Sequence, residues 1–327
     1  MNFLVTGSSG FIGHSVALKL LNDGHMVIGI DNLNDYYSVA LKEDRLKLLK
    51  NSQNSENFKH FKFDISKKNF LKNHELIDSA QGVDAIIHLA AQAGVRHSIE
   101  APQTYIDYNI TGFFNIILLA KLIGTSKITY ASSSSVYGNN PNQEILKLTH
   151  RADKPVSFYA ATKRFNELMA SVFNNLDGID FLGLRYFTVY GPYGRPDMAL
   201  YKFTKNILDG LPIDIFNKGI HERDFTYIDD ISMGTIQATN FLITQNQFNK
   251  TYNLASSNPA TLKQFVEIIE NTLEKKAKIN YLPMQKGDVL RTYGDISDSK
   301  LDFGYEPKIS LEEGIKKFIV WYKNYYG

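Results

Sequence analysis

Tyr159 and Lys163 stand four residues apart in the stretch SFYAATKRFNELMA, residues 157–170. On a helix that spacing puts both side chains on one face. A phenol beside an ammonium can trade a proton with a substrate hydroxyl. The same spacing also suits a packed tyrosine and a lysine whose amine reaches water. Two other stretches decide between these readings. VTGSSGFIG, residues 5–13, spaces Gly7, Gly10 and Gly13 between an apolar run and a helix start. Glycines there permit a tight turn and close backbone approach, and the helix N-terminus offers free N–H groups to a pyrophosphate. Asp31 closes the second apolar run, at the distance expected for a residue that grips an adenosine ribose. Its charge repels a 2′-phosphate, so NAD is favoured over NADP. Asn32 and Asn34 are candidate helpers, and Asp64, closing the third run, is placed near the adenine.

YASSSSVYG, residues 130–138, completes the set, with Ser132, Ser133 and Ser134 at the end of a fifth apolar run. Serine, tyrosine and lysine at a nicotinamide suggest alcohol oxidation by hydride transfer. Tyr159 as phenolate takes the hydroxyl proton, Lys163 favours the phenolate and holds the nicotinamide ribose, and one of the serines bonds the reacting oxygen. A free tyrosine titrates near pH 10, so work near pH 7 asks for roughly 4 kcal/mol of phenolate stabilisation. A neighbouring ammonium and the positive nicotinamide both act that way.

These residues must be positioned by regular elements, and the first half of the chain supplies them. NFLVTG, HMVIGID, NFKHFKFDI, VDAIIHLAA, KITYASSSSV and IDFLGLRYFTVYG read as six strands, the third polar enough for an edge. FIGHSVALKLLNDG, YIDYNITGFFNIILLAKLIG and the Tyr159 segment alternate with them as helices. The expected fold is α/β: a doubly wound parallel sheet of the Rossmann kind with helices on both faces. After about Gly191 short elements separated by Gly, Pro and Asp turns predict a smaller C-terminal substrate-binding domain. The expected division is 1–187 with 226–255 for the NAD-binding domain, and 188–225 with 256–327 for the other. TLKQFVEIIENTLEKK and SLEEGIKKFIVWYKNYY read as its helices, the second opening on a capping-box pattern from Ser310 to Glu313.

The bulk composition narrows the classes. With 327 residues, 43% hydrophobic and 21% charged, the chain suits an ordinary globular protein with a large core. A net charge of +2 without a basic run argues against nucleic acid as a partner. Absence of cysteine removes thiolate chemistry and disulfides and suits a cytoplasmic location. The eight histidines form no metal-binding cluster, and the reading assigns no metal, no signal peptide and no membrane span.

VTGSSGFIG, DNLNDYY, HLAAQAGVRHS, ASSSSVYG, YAATK, RYFTVYGPYGRPDMA, RDFTYIDDI and LPMQKGDVLRTYGD together resemble the extended short-chain dehydrogenase/reductases of the NAD-dependent epimerase/dehydratase family. The resemblance spans the chain and is closest to the UDP-glucuronate 4-epimerases. It implies a bound NAD that oxidises C4 of a UDP-sugar and returns the hydride to the opposite face, with no net redox change. It implies that Ser133 is the catalytic serine, with Ser132 and Ser134 flanking it. Phe11, Ile12, Ile65, Leu89, Ala90, Ala91, Gln92, Asn109, Tyr186 and Val189 join the NAD contacts. Thr188 and Arg195 select the substrate carboxylate, because a buried carboxylate demands a charged partner. Arg223 and Arg291 clamp the diphosphate, and Ile213 and Phe216 border the uracil. The sequence departs from the common pattern at Tyr193, at His97 and in NQEILKLTHRAD, all three expected around the substrate mouth.

Two other chemistries fit the same residues. One is 4-epimerisation of neutral or N-acetylated UDP-hexoses. The other is decarboxylation of UDP-glucuronate, since the 4-keto acid is free to lose CO2 unless its carboxylate is held. The helices around 103–123 and 157–174 carry more apolar residues than one buried face needs, and the family resemblance implies a homodimer through them.

Overall fold

The structure is a computed structural model that describes residues 1–139, 145–284 and 289–327. Residues 142–144 of NQEILKLTHRAD and 285–288 of LPMQKGDVLRTYGD lie outside the described residues.

Six strands follow the expected order: β1 (Asn2–Thr6), β2 (Met26–Asp31), β3 (Phe58–Lys62), β4 (Ala85–His88), β5 (Lys127–Ser133) and β6 (Asp180–Tyr186). With a seventh, Asn249–Leu254, they form one parallel sheet. Its spatial order is Asn249–Leu254, β6, β5, β4, β1, β2, β3. The polar third strand is indeed an edge. Alternation along β1 sends Phe3 and Val5 to one face, against Val16, Leu20 and Ile236, and Leu4 to the other, among Ile28, Ile86 and Phe113. Both faces are therefore covered, which is why these strands read as unbroken apolar runs. The order reverses at β1, which pairs β2 on one side and β4 on the other. A crevice opens beyond the carboxyl ends of strands at such a reversal.

Three features differ from the sequence reading. The sixth run breaks at Phe187: Thr188–Tyr190 leaves the main sheet and pairs with Phe225–Tyr227. The long helix Pro102–Ile123 is apolar and long enough to cross a bilayer, contrary to expectation. Half of its most apolar window is buried, and Phe113, Ile116, Ile117 and Ala120 sit in the sheet's own core. Only half of the capping box forms at Ser310, whose hydroxyl accepts from the Glu313 amide at 3.2 Å. The Glu313 carboxylate pairs instead with Lys317 at 2.8 Å.

The helix Phe158–Asp177, which carries Tyr159 and Lys163, has clear bounds. Ser157 caps its start by accepting from the Ala160 amide at 3.1 Å, and Gly178 ends it at φ +66°. Outside the main sheet, Pro212–Phe216 pairs with Lys278–Leu282, and Glu222–Arg223 with Ala260–Thr261. The helices Leu262–Leu273 and Leu311–Tyr326 bury Phe265, Ile269, Ile315 and Phe318 in one further core.

Candidate active site

The glycine stretch forms a cradle between β1 and β4. Gly7 holds φ +72°, and a Cβ there would come within 2.8 Å of the Ala90 nitrogen. A Cβ on Gly13 would overlap the Gly7 carbonyl oxygen at 2.0 Å. The helix Phe11–Asn22 begins after Gly10 with no side-chain cap, so its first N–H groups are left to a ligand. Asp31 is buried at the end of β2, and backbone amides fix both carboxylate oxygens. Oδ2 accepts from Ser9 at 3.0 Å, and Oδ1 from Leu33 at 2.8 Å.

From this cradle a cavity of about 250 Å³ runs to the end of β5. Ser132, Ser133, Tyr159 and Lys163 line its far wall. The Tyr159 phenol and the Ser133 hydroxyl are neighbours in this wall. Ser133 accepts from the Ser135 amide at 3.2 Å. The Lys163 ammonium donates to the Ala131 carbonyl at 2.9 Å. Burial pushes Lys163 down to about 8. Burial also raises the Tyr159 phenol, while the nearby Ser133 hydroxyl and the Arg195 charge work against that rise. This differs from the expected lysine-driven lowering, because desolvation disfavours the charged form of both groups. The edge of the Tyr105 ring meets Tyr159 at 6.1 Å between centroids.

Behind the wall, Asn109 lies in a π-helical turn, Ile106–Thr111, inside the long apolar helix. Its amide oxygen accepts from the Gln92 backbone at 2.8 Å, and its nitrogen donates to the Thr162 hydroxyl at 3.0 Å. The turn frees the Asn109 carbonyl, which Asn166 takes at 2.7 Å. Asn109 thus ties the Gln92 segment to the Tyr159 helix from outside the cavity lining.

The near wall holds Arg195, expected from the sequence, together with Lys42, Tyr36 and Tyr37, which were not. Lys42 lines the cavity and donates to the Asn34 carbonyl at 2.6 Å and to its side-chain oxygen at 2.5 Å. Burial lowers its amine to about 8, with Asp31 opposing. Arg195 lines the same cavity and pairs with Asp197: Nε to Oδ1 at 3.0 Å and Nη2 to Oδ2 at 2.5 Å. The Tyr36 hydroxyl reaches Asp197 Oδ2 at 3.3 Å. Arg45 is wholly buried beneath. It donates to the Ser9 carbonyl at 3.0 Å, the Tyr37 hydroxyl at 2.6 Å and the Tyr193 carbonyl at 2.6 Å. Among the described residues no carboxylate forms an ion pair with it, and its Nε has no partner. Asp197 stands two residues beyond Arg195, a spacing visible in the sequence. The contact of Arg45 with Tyr193 spans 148 residues and leaves no local signal.

The cavity lining includes Gly7, Gly10, Phe11, Ile12, Gly13, Asp31, Asn32, Asn34, Ile65, Leu89, Ala90, Ala91, Gln92, Tyr186 and Val189, all expected there. Thr188 lines a smaller adjoining hollow with Val189, Arg195 and Met198. Other expected residues stand elsewhere. Asp64 turns to Ser66 at 2.7 Å and to the Tyr108 hydroxyl at 3.4 Å. The Ser132 hydroxyl is taken by Glu167 at 2.7 Å, so it presents no donor to the cavity. Ser134 opens the short 3-10 turn Ser134–Tyr137 and is not among the lining residues. Ile213 is fully buried in the core, because strand alternation turns it inward with Ile215, and it has no surface for a uracil. Phe216 lies at the strand's end under the Arg96 guanidinium, 5.3 Å from the ring centre. Arg291 pairs with Glu222 at 2.6 Å, and Arg223 donates to the Glu222 carbonyl at 2.9 Å; neither lines the cavity. Tyr193, expected at the substrate mouth, packs instead on Trp321 at 4.9 Å and His14 at 5.5 Å. No cluster of three His, Asp or Glu suited to a metal occurs among the described residues.

Residues 3–255 match the model of the NAD dependent epimerase/dehydratase family. The chain belongs to that family. Its cradle fits the dinucleotide in the family's description: glycines at the points of closest approach, an uncapped helix start and a fixed carboxylate at the end of β2. Within the family, the UDP-glucuronate 4-epimerase of Thermodesulfobacterium geofontis is 46% identical, over 98% of this chain and 96% of its own. The crystal structure of UDP-glucuronic acid 4-epimerase from Bacillus cereus, in complex with UDP-glucuronic acid and NAD, superposes with a TM-score of 0.90 at 32% identity, covering all of both chains. The UDP-N-acetylglucosamine 4-epimerase of Methanobrevibacter ruminantium gives a TM-score of 0.86 at 30% identity, over 99% of this chain and 98% of its own.

Proposed function

We propose that the chain is an NAD-dependent 4-epimerase that interconverts UDP-glucuronate and UDP-galacturonate. The observation that carries this reading is the sharing of one cavity by Ser133, Tyr159, Lys163 and the Arg195 guanidinium. The first three suit oxidation of a hydroxyl, and the fourth suits an acidic sugar. The likeness to UDP-glucuronate 4-epimerases over the full chain supports it.

When bound, NAD supplies the acceptor, and later the donor, of the hydride at C4. Tyr159 takes the proton of the C4 hydroxyl and gives it back after the ketone has turned over. Ser133, beside Tyr159 in the same cavity wall, holds the reacting oxygen. Lys163 keeps a positive charge behind the phenolate at neutral pH, below its value of about 8. Arg195 and Thr188 hold the carboxylate, which keeps the 4-keto acid from losing CO2. The uncapped start of Phe11–Asn22 would receive the dinucleotide's pyrophosphate, and Asp31 would accept from its ribose.

The test is a product assay with UDP-glucuronate beside UDP-glucose. UDP-galacturonate formed without CO2 is the expected result. UDP-pentose, or turnover of UDP-glucose alone, would replace this reading with a decarboxylase or a neutral-sugar epimerase. Tyr159→Phe is expected to bind NAD normally and to lose turnover by about 10²–10⁴-fold.

We also infer a homodimer. Phe165, Leu168, Val172 and Leu176 form one stripe along the Tyr159 helix, and each is at least 43% exposed. The substrate and cofactor suit the cytoplasm.

A further inference from the structure

Three stretches noted in the sequence meet at one point that the epimerase reading leaves unused: DNLNDYY, QAGVRHS and GPYGRPDMA. They meet around Tyr36, whose hydroxyl reaches Asp197. A guanidinium presents its N–H donors as forks. Asp197 fills the side fork of Arg195, taking Nε and Nη2 with its two oxygens. Among the described residues no acceptor takes the end fork, Nη1 with the second proton of Nη2, and Arg195 lines the cavity in which an anion could meet it. Asp197 is itself held. The Tyr36 hydroxyl donates to its Oδ2 at 3.3 Å, and the Tyr36 ring lies 5.8 Å from the Arg195 guanidinium carbon. Tyr36 gets there by passing Gly94, where a Cβ would come within 2.6 Å of the hydroxyl. The His97 ring packs against the Tyr36 ring at 4.9 Å.

We propose that Asp197, held by Tyr36, is a positioning residue that aims the free fork of Arg195 at the sugar's C6 carboxylate and so sets the preference for acidic over neutral nucleotide sugars. The inference rests on the proposed function. Asp197 also cancels much of the attraction between Arg195 and an incoming anion. What the pair contributes is therefore direction more than affinity: a carboxylate gains by meeting a pre-set fork, and a neutral hydroxymethyl group gains nothing.

The experiment compares wild type, Asp197→Asn and Tyr36→Phe. It measures kcat and KM on UDP-glucuronate, CO2 released per turnover, inhibition by UDP-glucose, and thermal midpoint. In Asp197→Asn, kcat/KM on UDP-glucuronate is expected to fall about ten- to a hundredfold. CO2 per turnover should rise, while inhibition by UDP-glucose stays unchanged. Tyr36→Phe removes only the hydroxyl that holds Asp197 and should show the same pattern in smaller degree, which protects the test if Asp197→Asn folds poorly. Tighter UDP-glucuronate binding with kcat kept would mean that Asp197 only neutralises Arg195, and would overturn the inference. Equal losses for both sugars would overturn it too, by making the role merely structural. A wild type that forms no UDP-galacturonate would instead sink the functional reading beneath it.

Discussion

Lys163 is held under two opposing demands. Chemistry asks for an ammonium beside Tyr159, while burial drives that ammonium toward its neutral form, with a value near 8 against the usual 10.5. The sign of the consequence for stability is definite. Below pH 8 the folded chain carries the whole cost of burying a charge that the unfolded chain keeps in water. Between pH 8 and 10.5 the folded lysine is already neutral and that cost fades. Lys163→Met, similar in length and uncharged, is therefore expected to be more stable than wild type by roughly 3 kcal/mol at pH 7. The gain should vanish by about pH 10.5, as urea titrations at several pH values would read. The same variant should be nearly inactive. A loss of stability at pH 7 would show that the bond to Ala131 outweighs desolvation. At this scale the sequence was highly legible. Gly7, Gly13, Asp31, Tyr159 and Lys163 each need a residue type that their chemistry or close packing dictates, and each sits in a short, recognisable stretch.

The helix Phe158–Asp177 delivers Tyr159 and Lys163 only if it is seated correctly on the sheet. Glu167, one turn beyond Lys163, does the seating: it takes Arg185 of β6 through two bonds, 2.8 and 2.9 Å long, and Ser132 of β5 at 2.7 Å. Burial opposes ionisation of Glu167, but the bonds and charge of Arg185, with Ser132 and Arg164, hold its carboxyl below the usual range. Its contribution is thus present above the ordinary glutamate value and is lost as pH falls below it. Glu167→Ala leaves a buried guanidinium unpaired and should cost about 3–5 kcal/mol. Chemical denaturation at neutral pH checks this, and a loss below 1 kcal/mol would assign the seating to apolar packing. None of this network was legible in the sequence, because its members are 18 and 35 residues apart and each looks ordinary alone. The strands themselves were legible, as runs buried on both faces. The break at Phe187 was not, since apolar character continues through it while the pairing partner changes.

At the scale of the whole molecule, the apolar stripe on the Tyr159 helix lies on the opposite side from the core it helps to cover. Leu168→Asp places a charge at its centre, on a side chain that is half exposed in the single chain. Sedimentation should then report a particle of half the wild-type mass, with the fold kept. A wild type that sediments at the mass of one chain would refute the dimer, and a variant that stays dimeric would move the contact off this stripe. The division into 1–187 with 226–255 against 188–225 with 256–327 remains our proposal, and Arg45 bears on what such a division means. Its guanidinium is shared between the dinucleotide loop at Ser9 and the Tyr193–Gly194 turn that leads into Arg195. Its neighbour Asp44 is bonded by Tyr325, nearly at the end of the chain. The two halves of the cleft are consequently not interchangeable parts. A hybrid that grafted the first 190 residues onto the sugar-recognising half of a different relative would inherit an arginine cut to fit one particular turn, so swaps within this enzyme class should succeed only when residue 45 and that turn travel together.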